Sequence, residues 1–304
     1  MLIAALGLAV LAALLAWPVP LLLGRARWPL RSPAVALILW QSIALAGGLS
    51  MIGALLTFGL APFGTDLLSA VVNLITGGVQ RIESANAIAL CGAALLAGHL
   101  LLNLVTTIVR AERQRRRHAQ LVTLLSSPLD GGTRLIDSPA PVAYCLPGAL
   151  STVTVVSAGL IDLLDDDEMR AVIEHEKAHA TQRHDIVLVL FRAWYASLPW
   201  FPIAFRAQRE VGMLIEMLAD DRARRVVDDT VLARAIALVG SGRAEPTGEW
   251  DGSATAREAS SRIVRLAAVP LPRIAESGIV AIAVLLLAIP TILLLTPVVA
   301  ALAR

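Results

Sequence analysis

Four stretches of the chain run for at least about twenty residues without a Lys, Arg, Asp or Glu: Met1 to Leu23, Ala34 to Leu60, Ala85 to Val109 and Gly278 to Leu302. A hydrocarbon core about 30 Å thick is crossed by roughly 20 apolar helical residues, so each stretch predicts a membrane span. Between the third and fourth the pattern changes to short mixed segments. A polar helix continues from the third span to turns at Ser126, Pro128, Gly131 and Gly132. Two extended segments follow: Pro141 to Cys145, ending at Pro147 and Gly148, and Thr152 to Ser157, rich in β-branched residues. Arg134 to Ile136 is a candidate third strand.

Helical signals dominate after this small sheet. Asp165 with Glu168 three residues later forms a capping-box pattern, and Asp166 and Asp167 add favourable charge in the first turn. The helix they start is predicted to run from Asp166 to about Gln182. The apolar run Ile186 to Phe205 carries Arg192 near its middle and Pro199 and Pro202 near its end, which favours a helix packed in the domain, where it could also rest on the membrane surface, over a fifth span. Further helices are expected over about Ala207 to Val227 and Asp229 to Gly240. Ser241 to Ser261 shows no apolar periodicity and reads as a flexible linker. The expected fold is thus an α-helical, multi-pass membrane protein of about four spans with an inserted α+β domain. Its parts are a three-span region over 1–110, the domain over 111–240, a linker over 241–276 and the fourth span over 277–304.

Composition agrees: 57% of residues are apolar and only 16% charged. No basic residue precedes the first apolar run, since the first is Arg25, so that run is expected to anchor the chain instead of being cleaved. Arg25, Arg27 and Arg31 follow the first span, and Arg110, Arg113, Arg115, Arg116 and Arg117 follow the third, whereas Ala61 to Ser84 holds one Arg against Asp66 and Glu83. Basic short loops stay cytoplasmic. The N-terminus and Arg304 are therefore expected outside, with the domain in the cytoplasm of a cell membrane and lipid as an obligate partner. A formal net charge of +2 gives no reason to expect direct nucleic-acid binding; the arginine cluster reads as a topology signal that meets anionic headgroups. Cys91 and Cys145 read as free thiols. Alanine and arginine are dense and Lys177 is the single lysine, a composition expected of a GC-rich bacterial genome.

The candidate chemistry sits on the helix marked by Asp165. His175-Glu176-Lys177-Ala178-His179 is an HExxH pattern: spacing of four puts both imidazoles on one face, where a single Zn²⁺ can bridge them, and Glu176 beside them can take a proton from water. A catalytic zinc needs a third protein ligand, for which Glu216 is the best candidate, and an open position. Asp220, one turn beyond Glu216, can orient a ligating His from behind. One Zn²⁺ per chain is expected. His184 could support the site or substrate, with a helix cap as the simpler reading; Cys145 could gate the site, with a small buried apolar role as its default. His99 and Asn103 share a face of the third span, where an interhelical hydrogen bond is the expected use of polar groups.

The order of three spans, a domain with His175-Glu176-Lys177-Ala178-His179, Arg183-His184-Asp185, the Trp200-Phe201-Pro202 turn, Glu216 with Ala219-Asp220, and a fourth span resembles the BlaR/MecR-type membrane metallopeptidases. Within the catalytic domain it is also similar to the HtpX and CAAX-prenyl-protease group. The resemblance implies a gluzincin-type zinc endopeptidase, with ligands His175, His179 and Glu216 and catalytic Glu176, that cleaves a cytoplasmic BlaI/MecI-like repressor in signal transduction. The receptors of that family continue into an external penicillin-binding sensor domain that this sequence lacks, so direct β-lactam sensing is not expected of it. Two rival readings remain: a quality-control protease of membrane proteins, and a non-catalytic zinc-binding signalling or scaffold protein. A homo-oligomer is compatible with either.

Overall fold

The computed structural model describes residues 1–77, 82–129, 133–147, 152–199, 201–242 and 252–302. The turns expected at Gly131, Gly132 and Gly148, together with Trp200, the first part of the expected linker and Arg304, lie outside these residues.

Among the described residues, four helical stretches are long and apolar enough to cross a membrane, and each overlaps one of the four uncharged runs. The first is α1 (Leu2–Ala16) continued by α2 (Pro18–Leu23), broken at Trp17 because Pro18 cannot donate into the preceding turn. The others are α3 (Pro33–Leu60), α5 (Ser84–Leu125) and α12 (Arg273–Leu302). The loop before α5 carries a helix that the sequence reading did not resolve, α4 (Leu67–Thr76), capped by Asp66, whose carboxylate accepts from the Ser69 amide at 2.8 Å. Met1, Leu60, Phe63, Leu67 and Leu90 cluster at this end of the bundle, opposite the arginines that follow the first and third spans.

The α5 helix continues past its apolar part and delivers the chain to a four-stranded sheet of order β1-β2-β4-β3, where β1 is Ser126–Pro128, β2 Thr133–Ile136, β3 Ala143–Pro147 and β4 Thr152–Ser157. β2 and β4 are parallel and the outer pairings antiparallel, so β3 is an edge strand. Six helices follow. They are α6 (Ala158–Leu163), α7 (Asp166–Thr181), α8 (His184–Ser197), α9 (Pro202–Ala223), α10 (Asp229–Gly242) and α11 (Gly252–Leu266). The capping box of α7 forms as the sequence predicts: Asp165 Oδ1 accepts from the Glu168 amide at 2.8 Å, and Glu168 Oε2 from the Asp165 amide at 3.0 Å.

Two sequence expectations need correction. The apolar run Ile186 to Phe205 is not one surface helix. It is split between α8 and α9, and both pack on the spans themselves: Phe191, Val211, Leu214 and Ile215 share a buried cluster with Leu15, Leu23, Ala36, Trp40 and Ile43. The second half of the expected linker is also ordered as α11, whose Leu266, with Ala259 and Ile263 beside it, packs against Leu232, Ala235 and Ile236 of α10. The many charges between these apolar positions had hidden the helical stripe.

Small residues set how closely the site-bearing helices approach. Ala171 and Ala178 of α7 and Ala219 and Ala223 of α9 are essentially fully buried, so the two backbones come near enough for short side chains to meet across them. On the membrane side, a Cβ at Gly48 of α3 would lie 3.0 Å from the Trp194 ring of α8; glycine there leaves the indole its seat.

Candidate metal centre

On successive turns of α7, His175 and His179 face the same way, and α9 brings Glu216 up to both. His179 Nε2 lies 3.1 Å from His175 Nε2, Glu216 Oε2 lies 3.3 Å from His175 Nε2, and Glu216 Oε1 lies 3.5 Å from His179 Nε2. An ion bound at 2.0–2.1 Å with tetrahedral geometry needs its ligand atoms roughly 3.4 Å apart. The three donors therefore fit one such ion, and their chemistry, two imidazoles and a carboxylate, suits a transition metal.

Each histidine is held from behind. His175 Nδ1 lies 2.9 Å from Oδ1 of Asp220, which is 1% exposed. Asp220 in turn accepts from Arg262 of α11 through both oxygens, Nε to Oδ2 at 2.8 Å and the second guanidinium nitrogen to Oδ1 at 2.6 Å. His179 Nδ1 meets His184 Nδ1 at 3.0 Å, and His184 Nε2 meets Gln182 Oε1 at 2.8 Å. The connection that makes this work is Arg183, whose left-handed backbone (φ 50°, ψ 43°) turns the chain sharply between α7 and α8 and returns His184 to the metal helix. His184 thus starts α8 and supports His179 at the same time.

The charges are strongly coupled. Burial works to lower the His175 pKa, but the hydrogen bonds to Asp220 and Glu216 outweigh it and raise the value to about 9. Burial lowers His179 to about 4; Glu216 opposes this, while the positive charges of His175, His184 and Arg262 reinforce it. Burial tends to raise both carboxyls, yet Glu216 falls to about 2 through its hydrogen bond and attraction to His175, and Asp220 to about 2 through Arg262 and His175. Without an ion, then, His175 is an imidazolium whose Nδ1–H faces Asp220 and whose Nε2–H faces Glu216, and a divalent cation would take the place of the Nε2 proton.

These groups open on a cleft of about 560 Å³. Glu176 lines it beside His175, His179 and Glu216, and Val142, Ala143 and Tyr144 bring the edge of β3 along its wall. Cys145 is not in the lining: its thiol, pushed up by burial, lies 3.5 Å from Thr154 Oγ1 across the strand pair. Arg262 was missed by the sequence reading; the clue was its place beside Ala259, Ile263 and Leu266, spaced as one helical face.

Comparison with curated proteins and with solved structures yields no match. The stretch from within α5 to the end of α9, which contains His175, His179, Glu216 and Asp220 but not Arg262, does match a known family. Residues 109–223 match the model of peptidase family M48, so this part of the chain is similar to a metallopeptidase domain.

Proposed function

We propose that the protein is a zinc-dependent endopeptidase of the membrane, working on protein segments at the arginine-rich, cytoplasmic side of a bacterial cell membrane. The observation that carries this reading is the convergence of His175, His179 and Glu216 at tetrahedral spacing, with Glu176 on the same cleft. Bound by those three ligands, zinc would supply a Lewis acid and lower the pKa of a water. Glu176 takes the proton of the attacking water and returns it to the leaving amine. Asp220 and His184 hold the two imidazoles in the tautomer that presents Nε2 to the ion. The edge of β3 offers backbone hydrogen-bonding groups to an extended substrate, which places a scissile carbonyl beside α7.

The finer reading is regulatory cleavage of a BlaI/MecI-like repressor by a gluzincin-type domain, and its support is the order of spans and motifs along the chain. The test compares cellular peptide termini between strains carrying the native protein and Glu176→Gln at matched expression. A cut in one small DNA-binding repressor that vanishes in the variant supports the regulatory role, and many lost cuts in membrane proteins redirect it to quality control. Identical termini with metal retained by both proteins would overturn peptidase function.

A further inference from the structure

α8 and α9 form a hairpin that starts and ends at the metal centre, with His184 at one end and Glu216 in the returning helix. Its tip packs against the sides of the spans. Trp194 sits against Gly48 of α3, Phe201 lies 5.9 Å from the Trp17 ring, and Ser197 is hydrogen-bonded through its carbonyl to His99 Nε2 of α5 at 3.0 Å. These partners are well inside their spans. His99 lies about four turns, roughly 22 Å, along α5 from Ser84, and Gly48 roughly 18 Å along α3 from Leu60, both measured from the face that holds Met1 and α4. With a hydrocarbon core about 30 Å thick, a point on the order of 20 Å from one face is still surrounded by acyl chains.

The polar groups at the tip are arranged for such a place. Carbonyls of the last helical turn lack intrahelical partners, and in hydrocarbon each one left bare is costly. His99 supplies a donor to Ser197, the Leu198 amide closes back on Trp194 at 3.1 Å, and the Ser197 hydroxyl donates to Ala193 at 2.8 Å. Apolar residues face outward at the tip, where Ala196 and Pro199 are exposed and Phe205 is 54% exposed, while exposed Arg192 and half-exposed Arg206 lie further back along the two helices. Between tip and spans lies an apolar cavity of about 290 Å³, walled by residues such as Leu15, Trp40, Ile43, Phe191 and Leu198.

We propose that α8–α9 is a re-entrant hairpin: it dips into the acyl-chain region from the metal side, leaves on the same side, meets lipid chains through Pro199 and Phe205, and is latched at its tip by His99. Because α9 is one unbroken helix from the tip to Glu216, the latch also fixes the height of the third candidate ligand.

The test uses the full chain, with Cys91 and Cys145 replaced by Ala, in phosphatidylcholine–phosphatidylglycerol liposomes. A nitroxide is attached at Pro199→Cys or at Phe205→Cys, with Leu95→Cys on the exposed face of α5 as the lipid reference and Arg170→Cys on α7 as the aqueous one. Oxygen and water-soluble nickel collision rates at 199 and 205 are expected to match those at 95, with nickel access lost. Rates matching those at 170 would overturn the insertion. Adding His99→Ala is expected to move the 199 label toward water and raise its mobility, while His99→Gln, which keeps a donor, restores the native signal. A 199 signal indifferent to His99→Ala would overturn the latch. Neither readout involves metal or proteolysis, so failure here is distinct from failure of the peptidase reading.

Discussion

Metal binding should release one proton at mildly acidic pH, and that proton should come from His175. In the metal-free site His175 titrates at about 9, His179 at about 4 and Glu216 at about 2, so at pH 6 only His175 must lose a proton to become a ligand. The three units between pH 6 and a pKa of about 9 correspond to roughly 4 kcal/mol of competition, at 1.36 kcal/mol per unit. Apparent affinity should therefore rise about tenfold per pH unit from pH 6 and flatten near 9. A water bound to zinc ionises near pH 7, so at pH 6 it would add only about a tenth of a proton. Calorimetric titration of the full chain with Zn²⁺ at pH 6, in buffers of different ionisation enthalpy, reads the count directly. A count near one is expected; a count near zero, or an affinity flat between pH 6 and 8, would refute the charge assignment.

Other consequences are testable more briefly. Asp220→Asn removes the carboxylate between His175 and Arg262 and should weaken metal binding by about 10–100-fold, measured by chelator competition. The metal-free chain should lose stability in acid. Glu216 and Asp220 have pKa values depressed to about 2, so their contribution is present above the ordinary carboxyl range and disappears as pH falls toward 2, which thermal unfolding in detergent can follow. The His175 contribution has the opposite sign: present in full below about pH 6.5, it is lost as pH rises through about 9. Gly48→Leu would drive a side chain into the Trp194 ring and should cost about 1–3 kcal/mol, seen as a lower unfolding midpoint, whereas Gly98→Leu, in open space on α5, should be silent.

Local features of the fold were legible in the sequence. The start of α7 depends on Asp165 and Glu168, two positions three residues apart whose hydrogen bonds need no tertiary partner, and the HExxH spacing is a property of that helix alone. Glu216 could be chosen because Asp220 follows it by one turn. What could not be read was set by distant pairing. β1 has no β-branched residue and is a strand only because β2 pairs with it and Arg134 donates to the Ser126 hydroxyl at 2.6 Å and its carbonyl at 2.7 Å. The break between α8 and α9 was foreshadowed by Pro199 and Pro202, but not the depth of the tip, which depends on Gly48, Trp17 and His99 in three other spans. Arg262 was hidden for a related reason: a guanidinium in a polar stretch looks solvated until Asp220 is placed opposite it.

Three residues beyond Arg262, Arg265 is almost wholly buried and donates to three parts of the chain: the carbonyl of Leu30 just before α3, the carbonyl of Met217 on α9, and Asp221 at 2.5 Å. α11 is thereby pinned twice, once to the frame through Arg265 and once to the ligand shell through Arg262, and the short segment after it leads straight into α12. Along the chain from α12, the Arg265 contacts come before those of Arg262 with Asp220. The second arginine thus ties the approach to α12, the start of α3 and the ligand-bearing α9 into one frame, so the carboxylate behind His175 is seated by the membrane part of the chain as well as by its own helix.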